Sequence, residues 1–149
     1  MIRDTLLGGG MDCLSTLNEE QQIAYMKALS YLARVDGSVD ESEKEFLSEM
    51  ATFYGVSVER LKEIYANEDS DKVFSAVKKI KDRRASLELI KDMCLLAHQD
   101  EVLSDEEVLF IGQIGEAMNV SLDKIEQISK WIIDRIIWLE ESKVIFEEN

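Results

Sequence analysis

Two stretches of the chain carry acidic side chains at a spacing suited to binding a hard cation. Each begins with an Asp and closes with a Glu seven residues later: Asp36 and Glu43 in the first, Asp100 and Glu107 in the second. Asp40 lies inside the first stretch. An all-oxygen set of ligands selects Ca²⁺, Mg²⁺ or Mn²⁺ over softer metals. The chemistry that these residues suggest is therefore reversible binding of a divalent cation.

Neither stretch is an EF-hand calcium loop. The early ligand positions of an EF-hand would fall on Leu32 and Arg34 in the first copy and on Leu96 and His98 in the second, and none of these supplies an anionic oxygen. Calcium takes six to eight oxygen ligands, more than one stretch offers. A cation site therefore requires the two stretches to pool their carboxylates, with the predicted ligands being Asp36, Asp40, Glu43, Asp100 and Glu107.

Two other interpretations of the same residues stay open. Glu43 and Glu107 stand at the closing positions of helix capping boxes, and Asp36 and Asp100 can organise the turns between helices. These duties would explain the pattern without a metal ion. Alternatively, the acidic residues form a docking surface for a basic protein partner.

The two acidic stretches belong to an internal repeat. With a shift of 64, residues 32–64 align with residues 96–128 without a gap, and eight of the 33 positions are identical. Ordinary amino-acid usage would give roughly two matches. The sequence therefore predicts two helix–acidic loop–helix units, at about 19–66 and 84–141, related by a pseudo-twofold axis that brings their loops together.

The elements that must position these residues are helical. The chain has no proline, and its apolar residues recur at spacings of three and four. Asn18 to Gln21 and Ser104 to Glu107 have the form of capping boxes. We expect an all-α fold of one domain over 19–149, preceded by an arm over 1–18. The predicted helices, about seven, span 19–35, 41–54, 58–66, 71–80, 84–99, 105–118 and 122–141.

Charge limits the classes of partner. The sequence has 31 acidic and 17 basic residues, a formal net charge of −14. Nucleic acids and anionic lipids are polyanions, so we expect neither as a ligand. No segment approaches the roughly 20 apolar residues of a membrane span, which predicts no direct membrane insertion. Two cysteines make no disulfide framework, which favours a reducing compartment, the cytoplasm.

At the acidic stretches the sequence resembles the TerB-like family, which comprises the tellurite-resistance domain and the N-terminal domain of certain membrane-anchored co-chaperones. The family pattern, present twice per domain, is an alanine, then Asp-Gly, an apolar residue and a Glu that begins the next helix. It matches Ala33, Asp36, Gly37, Val39 and Glu43, and again Ala97, Asp100, Leu103 and Glu107. Glu101 replaces the second glycine. The resemblance covers about residues 19–141.

The resemblance implies an all-helical protein of the stress-response type, with proposed divalent-cation binding and no catalytic activity. It also implies protein partners, including assemblies at the inner face of the membrane. The residues independently indicate that the protein is not an enzyme, because there is one histidine and no Ser/His/Asp arrangement. The alternative function is a metal-free helical interaction module whose acidic face docks a basic partner.

Two further features have two interpretations each. A basic cluster between the repeats forms either a solvated turn or a docking site for an acidic molecule; it comprises Lys78, Lys79, Lys81, Arg83 and Arg84. Cys94 and His98, with Asp100, could begin a zinc site, but a core cysteine and a helix-end histidine are the simpler interpretation.

The last helix carries Trp131 and Trp138 two turns apart, among four isoleucines. Its apolar residues cover more than one face. We expect burial within the fold, with a homodimer or partner surface as the alternative.

Overall fold

The computed structural model describes residues 17–35, 41, 45, 48–49, 51–52, 55–57, 59–60, 64, 69–98 and 103–147. Across these residues the chain is helical and contains no strand, which confirms the predicted all-α class. Five helices are described over their full length: α1 (Glu19–Arg34), α2 (Ser70–Val77), α3 (Arg83–Ala97), α4 (Asp105–Ala117) and α5 (Leu122–Phe146).

Side-chain caps fix where these helices begin. Asn18 and Gln21 form the predicted capping box of α1, and Ser104 and Glu107 form that of α4. The Ser121 hydroxyl accepts from the Lys124 amide at the start of α5. Asp69 and Asp82 cap α2 and α3, so each of these helices begins one residue earlier than predicted.

The helix ends differ more from the predictions. Helix α2 stops at Val77 instead of residue 80, because the amides of Lys79 and Ile80 donate to carbonyls three residues back and close a tight turn. Helix α5 runs to Phe146, five residues beyond the predicted end at 141. No proline or glycine interrupts this last stretch, and a pair between Glu140 and Lys143 lies along it.

Helix α3 lies at the centre of the fold. It packs against α1, α4 and α5, while α1 also contacts α2 and α4. Twelve of the fifteen residues of α3 are buried. Its largest fully buried side chains pack with those of α1; the two sets comprise Tyr25, Met26, Leu29 and Leu32 from α1, and Leu89, Ile90, Met93 and Leu96 from α3.

Two turns, one in each of the units predicted to be repeats, share the same backbone geometry. Gly55 and Asn119, 64 residues apart, both have a positive φ, of 72° and 61°. The next amide, of Val56 or Val120, donates to the carbonyl five residues back at 2.8 and 2.7 Å. A serine then caps the following residues in both turns, with Ser57 accepting from the Arg60 amide at 3.2 Å. Glycine and asparagine are the residues that tolerate this conformation best.

Some predictions reach beyond the described residues. Residues 41, 45, 48–49, 51–52, 59–60 and 64 are helical and fall within the predicted helices over 41–54 and 58–66. The bounds of those two helices lie outside the described residues, so the count of seven stays a prediction. Most of the predicted arm over 1–18 also lies outside them. Among the described helices, none combines the length and the apolar character that a bilayer crossing requires.

Candidate functional site

Four of the five predicted cation ligands, Asp36, Asp40, Glu43 and Asp100, lie outside the residues that the structure describes. The fifth, Glu107, lies in the first turn of α4 and is buried. One of its carboxylate oxygens, Oε1, accepts from the Ser104 amide at 3.0 Å, and its own amide donates to the Ser104 hydroxyl at 3.1 Å. Glu107 therefore performs the capping duty that was the alternative interpretation.

The described residues contain no group of three or more His, Cys, Asp or Glu side chains placed to hold a metal ion. Because Glu107 forms the capping hydrogen bonds with Ser104, its position alone is not evidence for a divalent-cation site. The pooled site of two acidic stretches stays a prediction about residues outside the described part of the chain.

Cys94 and His98, two residues of the possible zinc site, lie at the end of α3, and the third, Asp100, lies outside the described residues. Burial, with the nearby Asp92 carboxylate second, raises the pKa of the Cys94 thiol to about 12, so the thiol stays protonated. Burial lowers the pKa of His98, an effect that the charge of Glu107 opposes. The simpler interpretation of a core cysteine and a helix-end histidine agrees with the burial of Cys94 and with the position of His98 at the C-cap of α3.

A groove with a volume of about 510 Å³ lies between α3 and α5. One wall comes from α3, whose Arg84, Leu87, Glu88 and Lys91 follow the helical spacing of three and four. The facing wall comes from α5 and consists of Lys124, Gln127, Ile128, Lys130, Trp131 and Asp134. We call this surface the α3–α5 groove.

A fixed ion-pair network forms the α3 wall. Glu88 Oε1 accepts from Arg84 Nε at 2.8 Å, and Glu88 Oε2 lies 2.5 Å from Lys91 Nζ. The side chains of Glu88 and Lys91 are only 7% and 10% exposed. Lys91 also lies 3.9 Å from the buried Asp92, which accepts a 2.5 Å hydrogen bond from the Tyr25 hydroxyl. Because Glu88 and Lys91 are anchored in the core, this part of the wall is preorganised for a ligand, whereas the Arg84 side chain is 65% exposed.

The α5 wall is more open. Lys130 pairs with Asp134 at 2.9 Å on the surface, and Trp131 is 53% exposed. Lys124 makes no ion pair with the described residues. The groove is lined by four cationic and two acidic side chains, an excess of two positive charges in a chain of net charge −14. With Leu87, Ile128 and Trp131 beside these charges, it suits a ligand that is both acidic and apolar.

Helix α5 continues the groove as an exposed apolar surface. Of its 25 residues only Ile132 is buried. The predicted burial of Trp131 and Trp138 is therefore wrong, since both are more than half exposed. Trp131, Trp138 and Ile145 recur every seven residues, which is about two helical turns, so they lie along one line. We call this line, with the neighbouring exposed residues Ile137 and Val144, the α5 stripe.

The predicted basic cluster is divided between two surfaces. Arg84 lies in the α3–α5 groove, while Lys78, Lys81 and Arg83 line a separate cavity of about 500 Å³ that also includes Glu116 and Asn119. Arg83 Nη1 donates to the Asn119 carbonyl at 2.9 Å. This arginine therefore ties the start of α3 to the turn before α5.

Sequence reasoning missed the groove, although two signals for it were present. The spacing of Arg84, Glu88 and Lys91 marks a line of alternating charge on one helix face. The heptad recurrence of Trp131, Trp138 and Ile145 marks a helix with a second apolar line besides its core-facing one. Only the packing of α3 against α5 shows that these features adjoin.

Comparison with known proteins adds no family assignment. No protein-family model, no curated protein and no solved structure matches this chain. The resemblance to TerB-like proteins therefore stays a prediction, carried by the residues quoted for it.

Proposed function

We propose that this protein is a non-enzymatic helical interaction module that binds an acidic, amphipathic helical segment of a protein in the α3–α5 groove. The observation that carries the proposal is the excess of positive charge beside exposed Trp131, in a chain whose overall charge is strongly negative. An apolar groove with charged edges is the usual receptor for an amphipathic helix, whose apolar side chains anchor it while charges set its orientation.

The anchored α3 wall supports this function. A charged residue whose geometry is fixed before binding loses little side-chain entropy when the ligand arrives. Glu88 and Lys91 meet this condition because they are buried, they already pair with each other and Lys91 reaches Asp92. The entropy cost of ordering side chains then falls on the more exposed α5 wall, where Lys124 and Lys130 supply the attraction.

Peptide titration tests the proposal. The probe is a designed helical peptide of about four turns with Glu on its polar face and Leu and Phe on its apolar face, and its control carries Lys in place of Glu. Trp138→Phe leaves Trp131 as the single tryptophan reporter. We expect the acidic peptide to change Trp131 fluorescence saturably, and the Lys peptide to leave it unchanged.

A matched pair of variants locates the binding site. Lys124→Glu places a carboxylate in the groove and should weaken binding of the acidic peptide by about tenfold. Lys72→Glu makes the same change of charge on the exposed face of α2, outside the groove, and should have little effect. Equal weakening by both variants, or no binding of the acidic peptide at millimolar concentration, would refute the proposal.

We also infer that the two units at about 19–66 and 84–141 are structural repeats. The inference is supported by the shared turn geometry at Gly55 and Asn119 and by the equivalent serine caps at Ser57 and Ser121. We likewise propose that a pseudo-twofold axis relates the two units.

Divalent-cation binding of the TerB-like type is a separate prediction. Calcium, magnesium or manganese is titrated into chelator-stripped protein, and binding to the native state alone raises the melting temperature. Asp36→Asn combined with Asp100→Asn should abolish that shift while the helix content persists. No shift at millimolar cation would remove this prediction and leave the interaction module unaffected.

A further inference from the structure

The C-terminal half of α5 has the chemistry that the α3–α5 groove selects. From Trp138 to Glu147 it presents exposed apolar side chains at Trp138, Val144 and Ile145, together with the carboxylates of Glu140, Glu141 and Glu147. Lys143 is the one cation in this stretch, and it pairs with Glu140 at 3.2 Å. The segment is therefore an acidic amphipathic helix whose apolar residues are in water.

This segment cannot reach the groove of its own chain. It belongs to the same continuous helix, Leu122–Phe146, that forms one wall of the groove. An α-helix of 25 residues is a rod about 37 Å long, and it cannot fold back on itself. The groove can receive this segment only from another copy of the protein.

We propose that two copies associate through antiparallel α5 helices, each placing its Trp138–Glu147 segment in the α3–α5 groove of the other. This inference rests on the proposed function, since it names the ligand of the same groove. A twofold axis makes the contact isologous, so the same attractive contact forms twice and the assembly closes as a dimer.

The register follows from positions along α5. The groove takes its α5 residues from Lys124 to Asp134, and the acidic segment runs from Trp138 to Glu147. The midpoint between the two stretches lies near Ile136, where the twofold axis must cross. Lys130 of one copy then faces Glu141 of the second copy.

Both halves of the contact lie on the same side of the helix. Trp131 in the groove wall and Trp138 and Ile145 in the segment belong to the α5 stripe, which follows one face because seven residues make about two turns. One antiparallel approach therefore covers the groove and the segment of both copies together. Opposite charges at Lys130 and Glu141 favour this orientation over a parallel one, in which each residue would face its own counterpart.

A charge-swap experiment tests the register. Association of the full chain is measured by analytical ultracentrifugation from about 1 µM to 1 mM, and wild type should dimerise within this range. Lys130→Glu places a new carboxylate against Glu141 at both ends of the contact, and Glu141→Lys places a new ammonium group against Lys130 at both ends. Each variant alone should therefore dimerise at least about tenfold more weakly.

Mixing the two variants provides the decisive measurement. In the mixed dimer a Glu of the Lys130→Glu chain faces a Lys of the Glu141→Lys chain at both ends of the contact, so mixing should restore association to about the wild-type level. The double variant, Lys130→Glu with Glu141→Lys in one chain, likewise restores an opposite-sign pair at both ends and should associate about as tightly as wild type. Its net charge equals that of wild type, and Lys72→Glu on α2 is the control for a change of charge outside the contact.

The outcomes separate this inference from the proposed function. A chain that stays monomeric at 1 mM but binds the designed acidic peptide overturns the dimer and keeps the groove as a binding site for another protein. A chain that does neither overturns both. Dimerisation that is insensitive to both single variants, or a double variant that fails to recover association, also overturns the antiparallel α5 contact. Circular dichroism of each variant verifies that the helices are intact.

Discussion

Helices α3 and α5 pack side by side and differ sharply in what surrounds them. Twelve of the fifteen residues of α3 are buried, against Ile132 alone among the 25 residues of α5. Helix α3 even buries ionic groups, with Asp92 fully enclosed and Glu88 and Lys91 nearly so. Helix α5 instead exposes two tryptophans. The fold depends on α3, whereas α5 carries apolar surface that the fold does not use and that a partner can cover.

The largest contrast is expected from truncating one apolar residue on each helix. Leu89→Ala on α3 removes a fully buried side chain and should lower the free energy of unfolding by about 2–5 kcal/mol. Trp138→Ala on α5 should change it by less than about 1 kcal/mol, because the ring contacts mainly solvent and the Arg135 guanidinium at 4.9 Å. Urea denaturation at low micromolar concentration, where association is weak, measures both. Similar losses of unfolding free energy for Leu89→Ala and Trp138→Ala would contradict the proposed contrast between α3 and α5.

Tyr25→Phe isolates the polar contribution of the core beside α3. The variant removes the hydroxyl that donates to Asp92 Oδ2 and should cost about 1.5–3 kcal/mol, because that carboxylate is fully buried. Tyr31→Phe is the matched control, since the Tyr31 hydroxyl makes no hydrogen bond to the described residues. Its effect on the urea midpoint should be small. Equal effects of the two substitutions would show that the hydrogen bond to Asp92 contributes little.

Two glycines of α4, Gly112 and Gly115, differ in how closely residues of the neighbouring turn and of α5 pack against them. A Cβ at Gly115 would lie 2.5 Å from Ile125 Cδ1 and 3.1 Å from the Val120 carbonyl oxygen. Gly115→Ala should therefore displace the start of α5 and cost about 1–3 kcal/mol. At Gly112 the nearest atom would be 3.8 Å away, so Gly112→Ala should stabilise the helix by about 0.5–1 kcal/mol. Thermal unfolding should shift in opposite directions for the two variants.

The smallest effect concerns pH and the end of α3. Burial lowers the pKa of His98 below its usual 6.5, with the charge of Glu107 opposing the shift. Near pH 6.5 the unfolded chain therefore binds more protons than the native one. The neutral His98 side chain therefore contributes its full stabilisation of the folded state above that pH. This contribution declines as pH falls from 6.5 towards the native pKa of His98.

His98→Gln provides the test, because His98 is the single histidine of the chain. The variant should flatten the fall of the unfolding free energy that wild type shows as pH drops below the ordinary histidine pKa of about 6.5. Urea unfolding at intervals across this range measures it. Identical slopes for wild type and variant would contradict a lowered pKa at His98.

Local features were the ones that sequence reasoning recovered. The capping boxes at Asn18 and Ser104 depend on residues within three positions of one another, and both were predicted. The all-α class followed from helical periodicity and the lack of proline. Helix ends were harder to place, because the tight turn after Val77 and the extension of α5 to Phe146 carry no side-chain signal of comparable strength.

The site was harder to predict than the fold. Sequence reasoning chose the acidic stretches, of which only Glu107 is described among the predicted ligands, and it placed Trp131 and Trp138 in the interior. Apolar periodicity shows that a helix has more than one apolar face. It does not show which of those faces a neighbouring helix covers, because that depends on contacts between residues far apart in sequence.

The sequence by itself determined the helical class, the net charge of −14, the repeated Asp and Glu spacing and the caps that start the helices, since each depends on composition or on neighbours a few positions away. Tertiary structure decided that Glu107 is buried at its cap, that Lys91 is anchored to Glu88 in the core, and that Trp131 stays in water. The physical reason is that burial and pairing depend on the packing of α3 and α5 against the rest of the fold, which no local pattern encodes.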